Sequence, residues 1–255
     1  ESDMERGDIL PAGRTIYAAE SKGKFKATSS NCYISHTPCD TIEEIYDTNR
    51  DMARIFSMGG GVGVDISKLR PNGAKVNNSA KTSTGAVSFL ELFNTTGNVI
   101  GQNNRRAAIM VMLDCSHPDI QEFLKIKQTN HKLESMNISI KFTDEFMRAV
   151  RDNQQYTLRF DVESTGEHIE KTIDARKFFD EFCECQWDFG DPGGAFIDAV
   201  RNHNLLTGYP EYKIDVSNPC SEFFGNAGNS CNLMSINLYN VVAHPFTKDA
   251  HVDYK

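Results

Sequence analysis

"AAIMVML", Ala107 to Leu113, is an unbroken run of apolar residues. Successive side chains of a strand point to opposite faces, so such a run leaves neither face for water. It reads as a strand buried on both sides, as in a parallel sheet covered by helices. The flanks agree. Downstream, "SHPDIQEFLKIK" (Ser116 to Lys127) sets Ile120, Phe123 and Leu124 at helical spacing, with Pro118 expected at the first helical position. "MNISIKF" (Met136 to Phe142) alternates like a strand, and Thr143 stands where it can cap "DEFMRAVRDN". Upstream, "TIEEIYDTNRDMARIFS" spaces Ile42, Ile45, Tyr46, Ala53 and Phe56 along a helix. Asp40 with Glu43 forms a capping-box pattern at its start, and the glycines from Gly59 to Gly61 end it. A further amphipathic helix is expected from about Ala86 to Ile100. This strand–helix alternation predicts an α/β fold with a largely parallel sheet.

One segment departs from the alternation. "QYTLRFDVESTGEHIEKTIDA" (Gln155 to Ala175) reads as a β-hairpin turning at Ser164, Thr165 and Gly166. In the helix predicted after it, Phe178, Phe182 and Cys185 share one face, with Phe179 and Cys183 on its neighbour. Cys183 and Cys185 are expected to pack in the core, as is Cys115 after the buried strand.

Bulk properties exclude some functions. A net charge of −8, with no basic run longer than Arg105-Arg106, argues against a nucleic-acid surface. No apolar stretch approaches a membrane span, and "ESDMERGDIL" lacks the layout of a signal peptide. Seven irregularly spaced cysteines suit a reducing cytoplasm better than a disulfide framework. Without a CxxC pair, a structural zinc site is not expected.

"NPCSEFFGNAGNSC" (Asn218 to Cys231) carries the candidate chemistry. In a strand Asn218, Cys220 and Glu222 would point to one side, placing a thiol between an amide and a carboxylate. The residues alone leave two readings open: a reaction centre, or an edge strand with a buried cysteine. Cys32, after the polar cluster Thr28, Ser29, Ser30 and Asn31, reads on its own as a structural cysteine, and gains interest only as a third thiol beside Cys220 and Cys231.

"SNCYI", "GGGVGVDISKLRP", "STGAVSF", "NPCSE" and "SCNLMSINL" occur here in one order, and together they resemble the large catalytic subunit of ribonucleotide reductases. The similarity is greatest to the adenosylcobalamin-dependent class. A single Gly-rich loop would be weak grounds, and "GGGVGV" lacks the dinucleotide-binding pattern. The resemblance implies the first half of a ten-stranded α/β barrel, about five parallel strands with flanking helices, with residues 1–255 forming one portion of it. It implies reduction of ribonucleotides to 2′-deoxyribonucleotides by thiyl-radical chemistry. Cys220 would be the radical thiol, Glu222 the carboxylate that takes the 3′-OH proton, and Asn218 the amide that binds the sugar. Cys32 and Cys231 would be the reducing pair, ending as a disulfide, with Ser30 and Asn31 in the substrate site. Asp40 and Arg106 would bind a nucleotide effector (a deoxynucleotide or ATP), and "QTNHKLESMN" would be a second specificity loop. Asp40 as a helix cap and Arg105-Arg106 as a solvated turn remain the plainer alternatives.

The implied partners are a thioredoxin- or glutaredoxin-type reductant, a second polypeptide supplying the other half of the barrel, and a second copy in a homodimer. Neither nucleic acid nor membrane is expected, and the location would be cytoplasmic. A subunit borrowing its radical from a metal-bearing partner, and a non-catalytic nucleotide-binding regulator, are the alternatives. Two departures stand out: Ser221 and Met234 replace the glycines usual in the family's "NPCGE" and "CNLGSINL". The chain opens near "ILPAGRTI", so an N-terminal ATP-binding module is not expected in it, nor is the second half of the barrel with its substrate-phosphate loop.

Overall fold

The computed structural model describes residues 2–100, 107–130, 133 and 136–253. They divide into two units, Cys32–Ser230 and, separately, Glu1–Asn31 with Cys231–Lys255. In the smaller unit, strand β1 (Ile9–Pro11) pairs antiparallel with Met234–Ile236 and is followed by helix α1 (Gly13–Ser21). Val242–Ala243 and His251–Val252 form a second short antiparallel pair.

The larger unit alternates as the sequence predicts. It runs β2 (Cys32–Ile34), α2 (Ile42–Ser57), β3 (Gly61–Asp65), α3 (Leu90–Val99) and β4 (Ile109–Asp114), then α4 (Ile120–Thr129), β5 (Asn137–Phe142) and α5 (Asp144–Arg151). The hairpin β6 (Gln155–Val162) and β7 (Glu167–Asp174) precedes α6 (Ala175–Phe189), β8 (Gly193–Phe196) and α7 (Ile197–Asn202). Strands β2, β3, β4, β5 and β8 lie side by side in that order, every pair parallel. On the outer side of β2, the Ile34 N–H donates to the Asn229 carbonyl and the Gly228 N–H to the Ile34 carbonyl.

The apolar run behaves as expected. Ile109, Val111 and Leu113 enter a core with Val62, Val64, Phe56, Phe93, Phe123 and Phe146, while Met110 and Met112 join Ile34, Ala195 and Val216 on the other face. Each such side chain contributes about 1.5–3 kcal/mol on full burial, which holds the sheet between its two covers. Phe178, Phe182 and Cys185 are buried together on α6, and Thr143 caps α5 by accepting the Phe146 N–H at 3.2 Å. Cys115 is fully buried, which pushes its thiol up to about 11.

Three local expectations change. Thr41, not Asp40, caps α2, accepting the Glu44 N–H at 3.2 Å. Asp40 is drawn away by Arg70, whose backbone N–H reaches one carboxylate oxygen at 3.0 Å and whose Nε reaches the other at 2.7 Å. Pro118 precedes α4 instead of opening it, because the Asp119 carboxylate bonds the N–H groups of Asn72 and Ala86, in another segment of the chain. "MNISIKF" is a strand as expected; of its polar members Ser139 and Lys141 are buried and Asn137 is exposed. Cys183 is exposed, one position beyond the buried face defined by Phe182 and Cys185.

His117 shows how tightly the Asp119 segment is held. It is buried, its Nε2 lies 2.8 Å from the Leu69 carbonyl, and its Nδ1 lies 3.1 Å from the Asp119 N–H. The neutral Nε2–H tautomer satisfies both contacts, and protonating Nδ1 would set two donors against each other. Burial lowers the His117 pKa against the opposing pull of the Leu69 carbonyl and nearby carboxylates. With the folded value below the unfolded one, the stabilisation is complete above about pH 6.5 and is lost as pH falls below it. Long-range nitrogen–proton NMR at pH 6 should show His117 as the neutral Nε2–H form; an imidazolium pattern would contradict the assignment.

Candidate active site

The sequence "GVGV" alternates glycine with valine, and the alternation divides the faces of β3. Val62 and Val64 enter the helix-covered core, so Gly61 and Gly63 leave the other face bare. A second chain segment fills the space. A Cβ on Gly63 would lie 1.7 Å from the Ser217 carbonyl oxygen, and one on Gly61 would lie 3.0 Å from Cγ of Pro219. Strand β9 (Val216–Ser217) therefore rests directly on the backbone of β3, with the Ser217 N–H 3.3 Å from Sδ of Met112. It pairs antiparallel with β10 (Phe224–Gly225), Ser217 opposite Phe224, and residues 218–223 form the loop between them.

That loop is a turn and not the strand in which Asn218, Cys220 and Glu222 would share a face. The Ser221 N–H donates to the Asn218 carbonyl at 3.0 Å, making Asn218, Pro219, Cys220 and Ser221 the four residues of a β-turn. Proline at the second position, with its fixed φ and missing N–H, favours a turn over a strand. The three functional groups still gather, by a different route. Asn218 is fully buried; its Oδ1 accepts the Phe223 N–H at 3.1 Å and its Nδ2 donates to Oε1 of Glu222 at 2.7 Å. Its backbone N–H donates to the Phe223 carbonyl at 3.0 Å. Cys220 is exposed at the turn, and from β5 the Asn137 side chain donates to the Pro219 carbonyl at 2.7 Å. Ser221 sits at φ 64°, the left-handed region that favours glycine.

Further along the same face lies a buried charge cluster. Nζ of Lys141 is 2.8 Å from Oδ2 of Asp65 and 3.3 Å from Oδ1 of Asp114. Burial opposes its charge, but Asp65 and Asp114 outweigh it and raise the Lys141 pKa. Asp215, at the foot of β9, also feels Lys141; burial opposes its charge too, yet its bond to Arg201 at 2.5 Å helps hold it below its usual range.

The remaining expected residues fall as follows. Cys32 is buried in β2 in register with Gly61, on the side where Pro219 packs. In the smaller unit the Asn31 N–H donates to the Cys231 carbonyl at 2.9 Å. Ser30 and Asn31 are half-buried there, and the buried Asn31 Oδ1 has no hydrogen-bond partner among the described residues. Asp40 is held by Arg70, which also bonds Oγ of Ser164 at the hairpin turn at 3.0 Å. Arg106 lies outside the described residues, as does part of "QTNHKLESMN". Sequence reading did not single out Gly61, Gly63, Asn137 or Lys141. The period-two glycines were the available signal for the first two.

The parallel α/β sheet thus carries a thiol, an amide and a carboxylate together on one braced turn. The chain belongs to the ribonucleotide reductase barrel-domain family, whose model matches residues 30–255. It is 35% identical over 245 residues to a vitamin B12-dependent ribonucleoside-diphosphate reductase of Thermoplasma acidophilum, covering 95% of this chain and 31% of that protein. A reductase of the same name from Mycobacterium tuberculosis is 36% identical over 249 residues, covering 97% of this chain and 34% of that protein. The ribonucleoside-diphosphate reductase subunit alpha of a Synechocystis strain is 31% identical over 252 residues, covering 83% of this chain and 32% of that protein. The chain thus spans about a third of the length of these curated relatives.

Two outcomes test this geometry. Gly63→Ala should destabilise the larger unit by about 3 kcal/mol, since backbone must move to admit the methyl, and urea unfolding measures it. Ser221→Val should cost about 1–2 kcal/mol because a β-branched residue is strained at positive φ, whereas Ser221→Gly should cost nothing. Equal melting temperatures for the two Ser221 variants would rule out the strained turn.

Proposed function

We propose that the chain is a catalytic portion of a ribonucleotide reductase that converts ribonucleotides to 2′-deoxyribonucleotides by thiyl-radical chemistry, for DNA synthesis. The observation that carries this reading is the Asn218–Glu222 hydrogen bond of 2.7 Å beside the exposed thiol of Cys220. Adenosylcobalamin, when bound, supplies the radical that turns the Cys220 thiol into a thiyl, and the exposure of that thiol fits a radical arriving from outside the turn. Every other step belongs to this chain's own groups. Cys220 removes the 3′ hydrogen of the ribose, Glu222 takes the 3′-OH proton, and Asn218 holds both the carboxylate and the sugar. The 2′-OH leaves as water, with two electrons and two protons drawn from the thiols of Cys32 and Cys231, which close as a disulfide. Cys220 then returns a hydrogen atom to C3′, and Glu222 returns the proton to the 3′ oxygen. Ser30 and Asn31 line the substrate site, and the Asn31 Oδ1 acceptor suits a substrate hydroxyl.

Asp40 binds the ribose of a nucleotide effector, its carboxylate oriented by Arg70, and Arg106 binds the effector phosphate. Residues 1–255 serve as one portion of a ten-stranded barrel, completed by the other half and acting in the cytoplasm with a thioredoxin- or glutaredoxin-type reductant. Two copies meet as a homodimer, and neither nucleic acid nor membrane takes part. A second reading is a subunit that borrows its radical from a metal-bearing partner; the Synechocystis relative is named as one subunit of a reductase. A non-catalytic regulator would have no use for Asn218, Cys220 and Glu222 on one braced turn.

In the intact reductase, Cys220→Ala should abolish deoxynucleotide formation while nucleotide binding persists. A single turnover without external reductant should leave Cys32 joined to Cys231 in a peptide map. Product from the variant, or two thiols still reduced after turnover, would overturn the assignments.

A further inference from the structure

In a β-turn the peptide between the second and third residues can face either way, and reversing it moves the third residue to positive φ. Here that peptide joins Pro219 to Cys220. The non-glycine residues at positive φ include Ser221 but not Cys220, so the peptide faces the way that keeps Cys220 in an ordinary conformation. Pro219 offers no N–H, which leaves its carbonyl as the hydrogen-bonding group of its own residue. The Asn137 amide, the first side chain of β5, donates to that carbonyl at 2.7 Å from 82 positions away in the chain.

The bracing is built into the sheet. Asn137 is in register with Met110, and Met110 with Gly63, so the three share the face on which Ser217 and Pro219 rest. One side of the turn is therefore clamped by Asn218 to Phe223 and Glu222, and the other by Asn137. We infer that Asn137 is a positioning residue for the radical thiol: its hydrogen bond to the Pro219 carbonyl fixes the turn peptide and so the direction of the Cys220 sulfur. The inference rests on the reading of Cys220 as the radical thiol, because only then does that direction bear on catalysis.

The experiment compares the intact reductase with its Asn137→Ala, Asn137→Asp and Asn137→Gln variants. Asn137→Asp is nearly isosteric and replaces a donor by an acceptor, so it isolates the hydrogen bond from packing. We expect kcat to fall about tenfold in the Ala variant with KM within twofold, the factor corresponding to one lost hydrogen bond. The Asp variant should fall at least as far, and the Gln variant, which keeps an amide donor, should recover part of the loss. The second readout is iodoacetamide labelling resolved by peptide: the rate at Cys220 should change severalfold while the exposed Cys39 and Cys183 label as before. A kcat within twofold of the parent together with unchanged labelling of Cys220 would overturn the proposal, as would a rise in KM alone. Labelling needs no turnover. A parent enzyme inactive toward ribonucleotides would therefore refute the proposed function and leave the role of Asn137 decided by the Cys220 rates.

Discussion

The contact of the Ser217 carbonyl with the bare backbone of Gly63 is the constraint from which the site follows. A methyl group at Gly63 would stand 1.7 Å from that oxygen, so the approach exists only because β3 alternates glycine with valine. The valines hold β3 to the helices, and the glycines let a second backbone lie on the sheet itself. The turn that follows Ser217, with its thiol, takes its height above the sheet from this contact. The Pro219 ring occupies the room left by Gly61 in the same way.

A backbone resting on glycine is close but not oriented, and buried polar groups supply the orientation. Asn218 is wholly buried and uses both ends of its side-chain amide, so turning it over would break two hydrogen bonds. Each such bond is worth about 1 kcal/mol made and more if left unmade, which makes the clamp more a matter of specificity than of gross stability. The Lys141 cluster works alike. Removing one partner of a buried pair costs about 3–5 kcal/mol, although the intact pair itself adds little.

Much of the fold was legible because burial on both faces leaves a mark that composition cannot hide. The run Ala107 to Leu113, the hairpin at Ser164 to Gly166, the Thr143 cap and the Phe178–Phe182 face all express local periodicity or local capping. Two of the misreadings came from a distant partner. Asp40 has the chemistry of a cap, but Arg70, thirty positions on, takes its carboxylate and the cap passes to Thr41. Asp119 serves Asn72 and Ala86 in place of its own helix, which keeps Pro118 outside it. At the site the residues were legible and their geometry was not. Asn218, Cys220 and Glu222 were named from their identities, but the shared face that a strand would give them is replaced by a turn that Pro219 and the closing Asn218 bonds impose. Asn137 gave no local sign, since its partner lies in another segment.

The hairpin and the turn that bears Cys220 differ in how they must be assembled. Strands β6 and β7 close on residues Val162 and Glu167, five positions apart, a contact that costs little chain entropy. The turn bearing Cys220 is fastened by Asn137, 82 positions earlier, and by Met112, 105 positions earlier than Ser217. Contacts of that separation form late, after the parallel strands they rest on are already paired. On a ribosome the bare face of Gly61 and Gly63 would therefore wait uncovered until Ser217 emerged, a window in which a chaperone or another strand could lie there first.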